Sequence, residues 1–187
     1  MFQMRCTFGP HIQRWTKSFW WQEILYQFSI DRFQGERRMT TRIRRYVETD
    51  TGHRVPNHKS KCRHMHGHRY RFEAEIEGDT VVESGVSEEG MLMDFSDVSQ
   101  ILMTHVHDVV DHAFVVYEGD EKARKACAAM GEGHRTVVVP FIPTAENLAK
   151  WAFEQVEPHI TTAYGNRLKL VAMHVRETPK SVASWVP

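Results

Sequence analysis

Cysteine is scarce in this chain: Cys6, Cys62 and Cys127 are the three among 187 residues. Odd in number and widely spaced, they form no disulfide framework, and they point to a reducing compartment, the cytoplasm. An excess charge of either sign is missing too, since 24 Lys+Arg balance 24 Asp+Glu. No overall field therefore favours nucleic acid or an anionic membrane as a partner. No apolar run approaches the roughly 20 residues needed to span a bilayer. What remains is an ordinary globular composition, 41% hydrophobic and 26% charged, at a length that suits one domain with a proper core. Histidine is the one excess, at 12 residues, and it directs attention to metal binding or proton transfer.

Residues 1–38 differ from the rest. The stretch WTKSFWWQEILYQF is rich in aromatics, and Arg37, Arg38, Arg42, Arg44 and Arg45 follow it. The charged start, clean apolar stretch and small-residue cleavage site of a signal peptide do not appear, and Glu23, Asp31 and Glu36 weaken the reading as an Arg-rich transit peptide. Met39 stands where a compact domain would begin. The expectation is an N-terminal extension over 1–38, disordered or arising from a misassigned start, and a folded domain over 39–187. A short helix docked on the domain is the alternative for the extension.

Beyond Met39 the periodicities are clear. Residues 42–54 predict a strand, and residues 68–77 another, with His68, Tyr70, Phe72, Ala74 and Ile76 on one face. Gly78-Asp79 suggests a turn and Val81-Val82 a short return. Residues 94–110 carry apolar positions at helical spacing, with Asp94 or Ser96 as N-cap. Residues 117–135 read as a loop or short helix, and Thr136 to Val139 as a β-branched run. Pro143 suits the first turn of a helix whose apolar stripe runs from Ala145 to Val156. Strict alternation from Leu168 sets Leu168, Leu170, Ala172 and His174 against Lys169, Val171, Met173, Val175 and Glu177, and a last strand is expected near Val182. The fold class is α+β with a mostly antiparallel sheet.

The chemistry concentrates between His53 and Tyr70. His66 and His68 are two apart, so on a strand both imidazoles point to one face. The intervening Gly67 allows close backbone approach. His53, at the end of the preceding strand, supplies a third imidazole if the two strands pair. Three nitrogen ligands with an open fourth position are the parts of a catalytic zinc site; His58 and His64 compete for membership. Cys62, four residues before His66, is either a fourth ligand or a free catalytic group, although a lone cysteine is more often a small buried hydrophobe. Asp111-His112 follows a helix, and a carboxylate beside an imidazole makes a general acid/base. Taken singly, Thr144 and Glu146 have a plain helix-start explanation, and Glu177 that of a solvated strand end.

Together these residues resemble the 6-pyruvoyltetrahydropterin synthase family, including its 6-carboxy-5,6,7,8-tetrahydropterin synthase branch. The matching pieces are Cys62-x3-His66-Gly67-His68-x-Tyr70, then Gly90-Met91-x-x-Asp94-Phe95 before a helix. Asp111-His112, Pro143-Thr144-x-Glu146-Asn147 and Glu177-Thr178 follow in the family's order, so the match covers residues 43–180. The resemblance implies the tunnelling fold (T-fold), a ββααββ antiparallel sheet with two helices on one face. It also implies a homohexamer made of two trimers, with active sites at subunit interfaces. By position, His53, His66 and His68 would hold Zn²⁺, and Cys62 would be the base. Asp111 and His112 would relay protons, Glu177 would anchor the pterin ring and share in catalysis, and Thr144 and Glu146 would line the pterin pocket. The substrate class is 7,8-dihydroneopterin triphosphate. In the carboxy branch its side chain is cleaved to acetaldehyde on the way to queuosine and 7-deazapurines; in the other branch triphosphate is eliminated without that cleavage. A non-catalytic zinc- or pterin-binding module on the same fold is the remaining reading. Two departures stand out: the first histidine follows Thr49-Asp50-Thr51-Gly52 rather than Phe-x-Ala-Ala, leaving His58 as the alternative ligand, and the segment 117–139 is long.

Overall fold

The computed structural model describes residues 40–187. The expected extension over 1–38, its boundary at Met39, and Cys6 lie outside the described residues. Among the described residues six strands form one sheet, in the order β4 (Thr136–Val139), β3 (Phe114–Tyr117), β1 (Thr41–His53), β2 (His66–Gly78), β5 (Leu168–Thr178), β6 (Ser181–Trp185). β1 (Thr41–His53) and β2 (His66–Gly78) pair antiparallel along their whole length, from Thr41 opposite Gly78 to His53 opposite His66. β5 (Leu168–Thr178) continues the sheet beyond β2, and β6 (Ser181–Trp185) closes that edge, both antiparallel.

The period-2 pattern explains why these segments are strands and which face they bury. Tyr70, Phe72, Ala74 and Ile76 of β2 are fully buried, while Arg69, Arg71 and Glu73 face the other way. Two helices cover the apolar face. α1 begins at Phe95–Leu102, widens into a π-helical turn over Met103–His107 and ends with Asp108–Val110; Val98, Leu102, Val106 and Val110 form its buried stripe. α3, Ala145–Tyr164, buries Leu148, Ala152, Val156 and Ile160 against the same core. Each of the Val, Leu and Ile side chains contributes about 1.5–3 kcal/mol on burial. Asp94 caps α1 by accepting from the Ser96 N–H at 2.7 Å.

Several local expectations are corrected. Val81 and Val82 form no return strand; Val81 makes only an isolated bridge to Glu89. Residues 114–117 form β3 (Phe114–Tyr117), which pairs in parallel with β4 (Thr136–Val139) and touches β1 in parallel at Gly52–Phe114. The long segment thus holds a β-α-β crossover through α2 (Glu121–Ala129), because parallel neighbours cannot be joined by a tight turn. The sheet is consequently mixed, and a third helix joins the expected two. Thr144, not Pro143, is the N-cap of α3, so Pro143 lies just outside the helix.

The strict alternation expected for β5 also fails, for a reason that matters below. Glu75 pairs with Ala172 but Ile76 pairs with Leu170, so Val171 is an extra residue in the ladder. Such a bulge reverses the facing of everything beyond it. Met173 and Val175 therefore join Leu168 and Leu170 in the core, and His174 turns to the opposite face. There His174 Nε2 donates to Glu75 at 3.0 Å, while Arg42 and Arg44 donate to the same carboxylate at 3.0 and 2.7 Å. Burial pushes the Glu75 carboxyl up, but the bonds from His174 and Arg42 and the charge of Arg44 outweigh it and hold the group below its ordinary value. A carboxylate depressed in this way stabilises the fold above its unfolded value of 4.5 and loses that contribution as pH falls through the folded value. Arg42 and Arg44 are 57% and 58% exposed, so screening keeps the effect modest. Glu75→Gln is expected to melt below the parent at neutral pH and to show a smaller further loss in acid; melting curves on either side of the carboxyl titration check this.

Candidate functional site

The strand register assembles the histidines. His53 stands opposite His66, Thr51 opposite His68 and Thr49 opposite Tyr70, and all share the helix-covered face. The ligand atoms of His53, His66 and His68 lie within 4.8 Å of one another. Gly67 stands opposite Gly52, and a Cβ on Gly67 would come within 3.0 Å of the Thr51 carbonyl oxygen, so the glycine between the histidines allows this close pairing.

Each ring is oriented by the chain around it. His53 is 1% exposed, and its Nδ1–H donates to the Pro143 carbonyl at 2.6 Å; His66 Nδ1–H donates to the His64 carbonyl at 2.8 Å. Both bonds leave the Nε2 lone pair free, the arrangement in which histidines ligate metal ions. Burial lowers the pKa of His53, only partly opposed by the Pro143 hydrogen bond, and burial likewise lowers that of His68 against the charge of Glu177. Neutral rings with free lone pairs fit a divalent ion that takes nitrogen ligands, zinc among them. His64 contributes its backbone carbonyl. His58 is outside the cluster, and its Nδ1 accepts from the Ser60 N–H at 3.1 Å.

A cleft of about 470 Å³ opens beside the cluster, lined among others by His53, His58, Cys62, Thr144, Glu146 and Glu177. Cys62 is half-buried and free, on a single 3-10 turn, Lys61–Arg63. The Val55 N–H donates to the Cys62 carbonyl at 2.8 Å, which holds that turn against the end of β1. Thr144 and Glu146 enter from the start of α3, and Glu177 from the end of β5, on the face that the bulge assigns to it. Cys127, by contrast, is buried against Val116 and Ala123.

Asp111 and His112 do not line this cleft. They follow α1 and are fastened to β1: Asp111 Oδ1 accepts from the Asp50 N–H at 2.9 Å, and the His112 N–H donates to the Asp50 carbonyl at 2.9 Å. These bonds hold His112 at φ 52°, in the left-handed region. Its Nδ1–H donates to Asp111 Oδ2 at 2.8 Å. Burial raises the Asp111 pKa, but the Asp50 N–H and the His112 hydrogen bond bring it below the ordinary carboxylate value. The His112 ring is 76% exposed.

Tyr70 was read from the sequence as one apolar position of β2 and as the end of the Cys62–Tyr70 motif, with no role of its own. It is 0% exposed, packs edge-on against His53 and His68, and its hydroxyl donates to Glu177 Oε1 at 3.1 Å. Alternation alone could not separate a core tyrosine from this one; the signal was its place two residues after His68. Thr49 and Thr51 are also buried: Thr51 Oγ1 donates to the Val110 carbonyl at 3.0 Å and accepts from Thr49 Oγ1 at 2.8 Å.

The model of the 6-pyruvoyl tetrahydropterin synthase family matches residues 42–186. The 6-carboxy-5,6,7,8-tetrahydropterin synthase of Haemophilus influenzae is 29% identical over 145 residues, covering 77% of this chain and 97% of that protein. The crystal structure of the Plasmodium vivax 6-pyruvoyltetrahydropterin synthase superposes with a TM-score of 0.57 at 16% identity, covering 79% of this chain and 97% of that one. The Caenorhabditis elegans 6-pyruvoyl tetrahydropterin synthase does so with a TM-score of 0.55 at 21% identity, covering 80% and 96%. At these identities the structural likeness establishes the fold, and the expected α+β tunnelling fold is borne out.

Proposed function

The chain belongs to the 6-pyruvoyl tetrahydropterin synthase family, and from that premise we propose that it is a zinc-dependent lyase that converts 7,8-dihydroneopterin triphosphate to 6-carboxy-5,6,7,8-tetrahydropterin, releasing acetaldehyde and triphosphate. The observation that carries this reading is the cluster of His53, His66 and His68 at a cleft that also holds Cys62 and Glu177. The carboxy-forming branch is favoured over 6-pyruvoyltetrahydropterin formation because the Haemophilus influenzae relative, matched along nearly its whole length, carries that name. On this reading the protein works in the cytoplasm, early in a route to queuosine and other 7-deazapurines.

His53, His66 and His68 would hold the zinc, which when bound would supply Lewis acidity toward the side-chain oxygens of the substrate. Glu177 would accept from the N–H groups on the guanidine-like edge of the pterin, a paired and charge-assisted contact that fixes the ring. Thr144 and Glu146, at the start of α3, would complete the pterin pocket. Cys62 as thiolate would take the proton from the substrate side chain. Asp111 would orient His112 through the Nδ1–H hydrogen bond, so that the pair returns and removes protons.

Within one chain that relay stands outside the cleft, and the His112 ring is largely exposed. This supports a homohexamer of two trimers in which one subunit supplies Asp111 and His112 to the cleft of another. The segment 1–38 takes no part in these roles, and its deletion is expected to leave turnover unchanged. Incubation of the purified protein with dihydroneopterin triphosphate, followed by mass identification of products, tests the reading. The 6-carboxy product with acetaldehyde is expected. A 6-pyruvoyl product without acetaldehyde would move the chain to the other branch, and pterin binding without product would make it a binding module.

A further inference from the structure

Three histidines leave one position open on a four-coordinate zinc, yet a carboxylate stands next to them. Glu177 Oε1 is 3.7 Å from His53 Nε2 and 3.7 Å from His68 Nε2. Donor atoms around a tetrahedral zinc are about 3.4 Å apart, given metal–ligand bonds of about 2.0–2.2 Å. The oxygen therefore sits close to the separation of a neighbouring ligand. If it closed on the ion, the site would have four protein ligands and the character of a structural centre, with no place for substrate.

We infer that Tyr70 is a positioning residue that holds Glu177 off the metal and so keeps one coordination position open. The inference rests on the reading of His53, His66 and His68 as metal ligands. Tyr70 Oη lies 3.0 Å from His53 Nε2 and 3.4 Å from its Nδ1. Such similar distances put the phenol alongside the ring rather than head-on to the Nε2 lone pair, which stays free. The hydroxyl has one proton, and it goes to Glu177 Oε1 at 3.1 Å. A hydrogen bond to an ionised acceptor is among the stronger kinds, and this one occupies the same oxygen that would reach the ion.

The phenol is well placed for such a restraint. It is fully buried in the centre of β2 and is gripped by rings on several sides, with His53, His68 and Phe72 at centroid distances of 5.6, 5.5 and 6.1 Å. The strand that carries it also carries His66 and His68, so hydroxyl and ligands move as one body. Glu177, near the end of β5 and lining the cleft, is the partner with freedom to swing. Each carboxylate oxygen has two acceptor sites, so Oε1 can hold the Tyr70 proton and both oxygens still face the N–H groups of a bound pterin.

The test uses the full chain stripped of metal and reloaded with Co²⁺, whose visible bands report coordination, with azide as the probe of an open position. The parent protein is expected to bind Co²⁺ and to change its spectrum on azide addition. Tyr70→Phe keeps the buried ring and removes only the hydroxyl. It is expected to bind Co²⁺ about tenfold more tightly, through the added carboxylate, and to need about tenfold more azide for the same change, within the range that groups supporting a metal site command. Glu177→Gln alone, and Tyr70→Phe combined with Glu177→Gln, are expected to return both quantities to the parent values. A Tyr70→Phe protein that matches the parent in affinity and azide response overturns the inference, as does a double variant that fails to restore them. A parent protein that takes up neither Co²⁺ nor Zn²⁺ overturns the metal reading itself, which separates that failure from a failure of the Tyr70 role.

Discussion

His53→Ala is expected to weaken zinc binding by at least about 100-fold and to lower turnover by about a thousandfold. Groups that merely support a metal ligand command about 10–100-fold in affinity, and His53 is proposed as a ligand itself. The lost Lewis acid is worth several kcal/mol in the transition state, at 1.36 kcal/mol for each factor of ten. His53 is the best test of the three because its ring is 1% exposed and fastened to Pro143, so its orientation is set before any ion arrives. His58→Ala is the matched control, since His58 lies outside the cluster and is expected to leave zinc affinity at the parent value. Zinc content by elemental analysis and competition against a chromophoric chelator read both. A His53→Ala protein with parental affinity would remove His53 from the ligand set, and a His58→Ala protein that loses zinc would put His58 in its place.

The same region shows how far the residues could be read before the structure was known. His66-Gly67-His68 was legible because a strand has an exact period of two, and His53 because hairpin pairing of two alternating segments brings strand ends together. The core was legible for the same reason: Tyr70, Phe72, Ala74 and Ile76 are all buried as alternation requires. Glu177 was legible as a motif residue but not as a facing. The bulge at Val171 depends on how β5 meets β2 across the sheet, and no local pattern in Leu168–Thr178 announces it. Without that extra residue Glu177 would lie on the face away from the helices, remote from Tyr70 and the histidines, and His174 would take its place.

β3 escaped for a different reason. Four residues are too few to show a period, and Phe114–Tyr117 becomes a strand because β4 and Gly52 offer partners far away in the chain. The conformation of His112 is likewise tertiary. Nothing in Asp111-His112 requires a left-handed residue; the bonds of the Asp111 side chain and the His112 N–H to the Asp50 main chain impose it. Thr49 and Thr51 stand where the family pattern has Phe and Ala, and they satisfy their hydroxyls by bonding to each other and to the end of α1. The unusual approach to His53 is thus a polar way of tying β1 to α1.

Cys62→Ala is the second large effect, and its value lies in what it leaves intact. If Cys62 is the base, turnover is expected to fall by about 100- to 10,000-fold, the usual worth of a positioned proton acceptor, while zinc content and affinity stay at the parent values. The main-chain bonds that shape its turn run from Val55 N to the Cys62 carbonyl and from His64 N to the Lys61 carbonyl; neither uses the thiol, so the cleft should persist in the variant. A kcat loss with little change in KM would follow, because Glu177, Thr144 and Glu146 still bind the pterin ring. Loss of zinc from Cys62→Ala would instead make the thiol a fourth ligand and close the centre. The Tyr70 restraint would then have nothing to protect, so this variant and Tyr70→Phe test the open position from opposite sides: one asks whether sulfur occupies it, the other whether a carboxylate would.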